Sequence, residues 1–119
     1  MTADRATLLV GLIRRECEAA LTFVDGIERA EFLGNSMIQH AVSMSMLAVG
    51  EYAARLAQAA PDILAAHPGI PWLSIIGMRN RIAHGYHGLD FEVVWDTLLT
   101  SIPELLAKLP AGGAQFRAS

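Results

Sequence analysis

Cysteine is almost absent from this chain of 119 residues: Cys17 is the only one. A lone thiol excludes an internal disulfide, and the expected compartment is a reducing cytoplasm. Glu16 and Glu18 flank it, and neighbouring carboxylates raise a thiol's pKa. Cys17 therefore reads as a half-buried helix residue rather than a nucleophile. Positive charge is scarce as well. Nine Lys and Arg stand against twelve Asp and Glu, for a net charge of −3, and Lys108 is the single lysine. Broad electrostatic attachment to nucleic acid needs many cation–phosphate contacts and is excluded; a small local site built from arginine is not. Long apolar runs are missing too. The least polar stretch, Met37 to Val49, is broken by Gln39, His40, Ser43 and Ser45, whereas a membrane-spanning helix needs about 20 mostly apolar residues. Asp4, Arg5, Arg14, Arg15 and Glu16 interrupt the N-terminal segment, so no secretory signal is expected. Nor does any segment alternate apolar and polar residues for long enough to argue a β-strand.

What the chain does have is apolar residues, 53% of the total, with a mean hydropathy of +0.36. That is rich for a soluble chain. Large exposed apolar patches are rare on soluble monomers. The excess therefore predicts a homodimer burying either the Met37–Val49 face or the last helix. A chain of this length makes one domain, expected over residues 1–110, with a flexible tail over residues 111–119.

Helical spacing organises the whole of that domain. Leu8, Leu9, Leu12, Ile13, Ala20 and Leu21 recur at helical intervals between Asp4 and Val24, and Asp25-Gly26 marks the end. Glu28 to Leu33 reads as a short helical turn closed by Gly34-Asn35. Asn35 or Ser36 can cap the next helix, which is Met- and Ala-rich and runs to about Ala60. Its first half is apolar nearly all round, the pattern of a helix covered on several sides. A helical turn over Pro61–Ala66 stops at Pro68-Gly69. Pro71 suits the first turn of a further helix, expected from Trp72 to Ala83 and ending near His84-Gly85. Asp90 is a good N-cap for the last helix, whose apolar face is Phe91, Val94, Trp95, Leu98, Leu99 and Ile102, with Pro103 interrupting late. The fold class is all-α, an up-and-down helical bundle.

Most of the chain is core, but Arg79, Arg81, His84, Tyr86 and His87 crowd into nine residues. Arg81 and His84, three apart, share a helix face. Arg79 and His84, five apart, lie about 140° apart on a regular helix, and would meet only if the helix unwound near Ala83 or His84. Gly85 and Gly88 make such unwinding easy. Arginine with histidine and no paired carboxylates suits phosphodiester chemistry. An imidazole takes a proton from a ribose 2′-OH near neutral pH, and a guanidinium holds phosphate oxygens. The same cations also serve as ordinary helix C-terminal caps. A metal reading has only His84, His87 and Asp90 to work with, at no usual spacing. No metal or cofactor is expected. His40 and His67 stand alone and read as structural or surface histidines.

The segment Arg79-Asn80-Arg81-Ile82-Ala83-His84-Gly85-Tyr86 matches the Arg-x4-6-His signature of the HEPN superfamily, and more narrowly resembles the Arg-x4-His-x-Tyr form of HepT-like proteins. Around it, Gly50-Glu51-Tyr52-Ala53, Pro68-Gly69-Ile70-Pro71-Trp72, Ile75-Ile76-Gly77-Met78 and the stretch from Asp90 through Val94-Trp95-Asp96 to Pro103-Glu104-Leu105 extend the resemblance over roughly residues 35 to 108. The resemblance implies a helical homodimer whose Arg and His line a shared cleft. It implies a metal-independent ribonuclease toxin acting on RNA, with a MntA-type minimal nucleotidyltransferase as antitoxin. Carried over by position, Arg79 and His84 are the catalytic pair. Asn80 and Arg81 contact or orient substrate, and Tyr86 is the tyrosine that the antitoxin adenylylates. That tyrosine is expected in a glycine-flanked loop with its hydroxyl accessible. A non-catalytic HEPN module that binds a nucleotide or partners the nucleotidyltransferase is the alternative, and a purely structural helical dimer a third. Where many relatives carry Arg-Asn-x-Glu ahead of the Gly-Glu pair, this chain has Met44-Ser45-Met46-Leu47, a surface expected to lack those charges.

Overall fold

The computed structural model describes residues 2–110, and among them every regular element is helical. The elements are α1 (Thr2–Phe23), α2 (Arg29–Leu33), α3 (Ser36–Ala59), α4 (Pro61–Ala66), α5 (Trp72–Gly85), a 3-10 turn over Tyr86–Gly88, and α6 (Phe91–Lys108). The expected tail lies outside the described residues.

Local chemistry sets most boundaries. The Asn35 side chain accepts from the Ile38 N–H at 3.1 Å and opens α3; Asp90 does the same for Glu92 at 2.9 Å and opens α6. Gly26 adopts φ +75 in the turn after α1, a conformation that glycine enters without steric cost. Pro103, expected to interrupt the last helix, does not: α6 runs through it to Lys108. A proline removes the hydrogen bond to the carbonyl four residues back. That carbonyl belongs to Leu99, which is 48% exposed, so water can serve it. Leu99 thus stands outside the apolar face assigned to it, and Leu105 is buried there instead.

The core forms where α3 packs on α1 on one side and α5 on the other. Val10, Ile13 and Cys17 meet Val42, Met46, Val49 and Leu56 in one buried cluster. Burial pushes the Cys17 thiol up to about 12, the charges of Glu18 and Glu16 adding to the effect against Arg14, so it is inert at neutral pH. The α6 helix contributes Val94, Trp95, Leu98 and Ile102 to the same core. Phe32 of α2 is fully buried against Trp95, ring centroids 5.2 Å apart. Arg29 holds α2 to α6 through Glu92 at 2.9 Å and Asp96 at 3.1 Å. At the far end, the Arg14 guanidinium of α1 donates to the carbonyls of Leu106, Leu109 and Pro110, taking up carbonyls at the end of α6.

This packing covers most of the Met37–Val49 face within the chain itself. Val42, Ser43, Ser45, Met46 and Val49 are buried, while Met37 and Met44 stay exposed. Of the segment Met44-Ser45-Met46-Leu47, only Met44 is an exposed surface residue. Among the described residues the most exposed large apolar side chain is elsewhere, Leu73 on α5 at 87%.

Candidate active site on helix α5

Helix α5 approaches α3 most closely at Gly50. A Cβ built there would lie 2.5 Å from the Arg79 Cβ and 2.9 Å from the Ile75 carbonyl oxygen, so only glycine fits. The next residue, Glu51, is thereby placed against Arg79, and their side chains pair at 3.2 Å. Arg79 is half-buried, and its Nε donates to the Asn80 side-chain oxygen at 3.2 Å. Glu51 also accepts from Arg55 at 3.0 Å. Its hydrogen bond to Arg55 first, and then the charges of Arg55 and Arg79, hold the Glu51 carboxyl below the usual carboxylate range.

The helix does not unwind at Ala83 or His84. It continues to Gly85, where φ is −144, and only then tightens into the 3-10 turn. His84 is therefore still helical, and it does not turn back towards Arg79. It lies instead with Arg81 and Asn80 along one edge of a furrow of about 510 Å³. The furrow exists because α5 packs on α3 while α6 packs on α1 and α2, leaving a gap between α5 and α6. Met46, Met78, Val93 and Val94 line it as well, with Gly85, Gly88 and Asp90. Arg79 does not line it. Of the anticipated residues the fold thus brings together Asn80, Arg81 and His84. Arg79 sits on a neighbouring face, joined to the group through Asn80.

Tyr86 departs from expectation. Its ring is packed, 4.7 Å from the His40 ring and 5.7 Å from Phe91. Its hydroxyl is buried with no hydrogen-bond partner among the described residues. The cause is the continued helix, which delivers residue 86 back onto α3 instead of into a free loop. His40 and His67 are local: each Nδ1 donates to the carbonyl four residues earlier, Ser36 at 2.7 Å and Ile63 at 2.9 Å. Among the described residues no three His, Cys, Asp or Glu side chains form a group able to hold a metal.

A family model described as Ribonuclease HepT-like matches residues 13–111. The chain belongs to the HepT-like ribonuclease family. Two of the relatives named "Putative RNase" show the extent of the likeness. One, from Caldanaerobacter subterraneus subsp. tengcongensis, is 32% identical over 93 residues, covering 78% of this chain and 80% of its own. The other, from Methanocaldococcus jannaschii, is 33% identical over 85 residues, 71% of this chain and 68% of its own. A "Probable ribonuclease HepT" from Thermococcus cleftensis is 33% identical over 78 residues, 66% of this chain and 68% of its own. No solved structure matches the chain significantly. In this HepT-like chain the residue that sequence reasoning left without a role is Glu51. The available signal was an acid beside a glycine in the middle of a helix otherwise rich in apolar residues.

Proposed function

We propose that this chain is the toxin of a toxin–antitoxin pair, a metal-independent endoribonuclease acting as a homodimer in the cytoplasm. His84 takes the proton of a ribose 2′-OH. The freed oxygen attacks the adjacent phosphorus and the 5′-oxygen leaves with a proton, so a 2′,3′-cyclic phosphate remains. Arg79 stabilises the charge that develops on the phosphorane-like transition state. Asn80 orients Arg79, and Arg81 contacts a phosphate oxygen. The observation carrying this reading is the placement of Asn80, Arg81 and His84 on one edge of an open furrow, with Arg79 anchored beside them by Glu51.

Within one chain Arg79 and His84 point to different faces, so a shared cleft calls for a second copy. The outward face of α5 supplies a suitable surface. Leu73, Gly77, Asn80 and His84 follow one another at helical intervals, and Leu73 is 87% exposed. The up-and-down course of the long helices belongs to the same reading. The split between Arg79 and His84 also favours a second possibility, a non-catalytic HEPN module that binds nucleotides or partners a nucleotidyltransferase.

Neutralisation follows the family scheme. A MntA-type nucleotidyltransferase would transfer AMP to Tyr86, whose oxygen attacks the α-phosphorus of ATP and displaces pyrophosphate. The added phosphate would compete for Arg79 or Arg81. Because the hydroxyl is covered here, Tyr86 must leave its slot before the transfer.

The test is cleavage of RNA by purified protein in EDTA, wild type beside His84→Ala and Arg79→Ala. Each variant should lose about 10²-fold in rate, with cyclic phosphate ends on wild-type product. Full cleavage by the Arg79→Ala/His84→Ala double variant, or loss of wild-type cleavage in EDTA, refutes it.

A further inference from the structure

We propose that Arg55 of α3 is a positioning residue for Arg79. It holds one oxygen of Glu51, so that the other oxygen fixes the Arg79 guanidinium without cancelling its charge. The consequence for turnover rests on the ribonuclease reading; the link from Arg55 to Arg79 does not.

Four polar side chains run in a line across the contact between α3 and α5. The Arg55 Nε donates to the Glu51 Oε2 at 3.0 Å, and the Arg79 Nη1 donates to the Glu51 Oε1 at 3.2 Å. The Arg79 Nε then donates to the Asn80 Oδ1 at 3.2 Å, and Asn80 lines the furrow with His84. Each carboxylate oxygen of Glu51 thus has its own guanidinium, and neither arginine displaces the other. Glu51 and Arg55 are four apart on α3, the spacing at which helix side chains meet. Arg79 arrives from the other helix because Gly50 lets α5 come close.

The second oxygen matters for two reasons. A carboxylate held at one oxygen swings on its flexible side chain, whereas one held at both does not, so Arg79 is anchored to a fixed point. Charge is the other reason. An arginine paired with a single carboxylate is neutral as a pair and attracts phosphate weakly. Here one negative charge is shared by two positive ones, and the cluster keeps a formal charge of +1. Glu51 therefore orients Arg79 while Arg79 still attracts an anion. Of the five N–H donors of a guanidinium, Glu51 and Asn80 take two, and Nη2 makes no hydrogen bond among the described residues.

The ionisation of Glu51 follows the same order of influence. Its hydrogen bond from Arg55 is the foremost cause of its lowered pKa, ahead of anything that Arg79 supplies. Folding gains little from the arrangement. The Arg55 and Glu51 side chains are 53% and 38% exposed, and pairs so exposed contribute little to stability.

The experiment compares full-length Arg55→Gln, Arg55→Lys, Glu51→Gln and the Arg55→Gln/Glu51→Gln double variant, each with a thermal melt expected near wild type. In RNA cleavage with EDTA, Arg55→Gln should lower kcat, by less than the about 10²-fold expected for Arg79→Ala. Arg55→Lys should recover most of that loss, since an ammonium can meet the same oxygen. In the Glu51→Gln background Arg55→Gln should cost nothing further, because residues that act through one another are not additive. A fully additive loss would mean that Arg55 meets RNA directly, and overturns the proposal. So does an Arg55→Gln protein that turns over as fast as wild type. Two measurements by nuclear magnetic resonance need no activity. In Arg55→Gln the Glu51 carboxyl should titrate closer to the ordinary value of about 4.3, and exchange of the Arg79 Nε–H should accelerate. Unchanged titration and exchange sink the link itself. Both responses beside a wild type that cleaves no RNA uphold the link and reject the ribonuclease reading alone.

Discussion

Gly50 and Arg79 touch so closely that a methyl group on the one would lie 2.5 Å from the Cβ of the other. The backbone of α5 offers no relief, because the Ile75 carbonyl is 2.9 Å from the same point. The contact does two things at once. It sets the distance between α3 and α5, and it brings Glu51 within 3.2 Å of the Arg79 guanidinium. Gly50→Ala must therefore push α5 outward. Overpacking of this kind typically costs about 1–3 kcal/mol, which a thermal melt detects, and RNA cleavage should fall with it. A Gly50→Ala protein with unchanged melting temperature and unchanged activity would contradict the contact.

Removing the charge from Glu51 separates orientation from stability. The pair is partly exposed, and exposed ion pairs contribute little to folding. Glu51→Gln should melt close to wild type while turnover drops, with Glu51→Asp intermediate.

The pH dependence of that link has a definite sign. The folded-state pKa of Glu51 is depressed, chiefly by its hydrogen bond to Arg55. Whatever the link contributes is therefore complete above the ordinary carboxylate range and is lost as pH falls through the lowered value. Above about pH 5 the Glu51→Gln and wild-type rates should keep a constant ratio. A ratio that changes near neutrality would mean that Glu51 titrates where its surroundings forbid it.

The buried Tyr86 hydroxyl has no hydrogen-bond partner among the described residues. Leaving such a group buried costs about 1–3 kcal/mol, so Tyr86→Phe should be as stable as wild type or more so, by denaturant melt. After co-expression with a neighbouring nucleotidyltransferase, intact mass should show AMP units on wild type and none on Tyr86→Phe. Hydrogen exchange across residues 84–89 should speed up in the modified protein, since the ring has left its place against His40 and Phe91. Modification of Tyr86→Phe at the wild-type rate would reject the assignment.

Association is expected through the outward face of α5. Light scattering at micromolar concentration should return twice the 12.8 kDa chain mass. Leu73→Glu, at an 87% exposed position, should return the chain to one copy without loss of helix by circular dichroism. A wild-type mass of one chain would remove the shared cleft, and with it the means of joining Arg79 to His84.

The sequence by itself determined the helices and the motif. Apolar spacing, the Asn35 and Asp90 caps and the breaks at Pro61 and Gly26 are interactions within a few residues, so they can be read one segment at a time. Arg79, Asn80, Arg81 and His84 were visible for the same reason, being neighbours in the chain. Only the tertiary structure decided how they are divided. The helix holds together to Gly85 and turns Arg79 away from His84, because its backbone hydrogen bonds and its packing on α3 outweigh the freedom of a glycine. Gly50 and Glu51 gained their meaning from a helix that begins more than twenty residues later. The furrow between α5 and α6, and the covered Tyr86 hydroxyl, depend on which helices pack on which. That choice is made by the whole core and by no single stretch of residues.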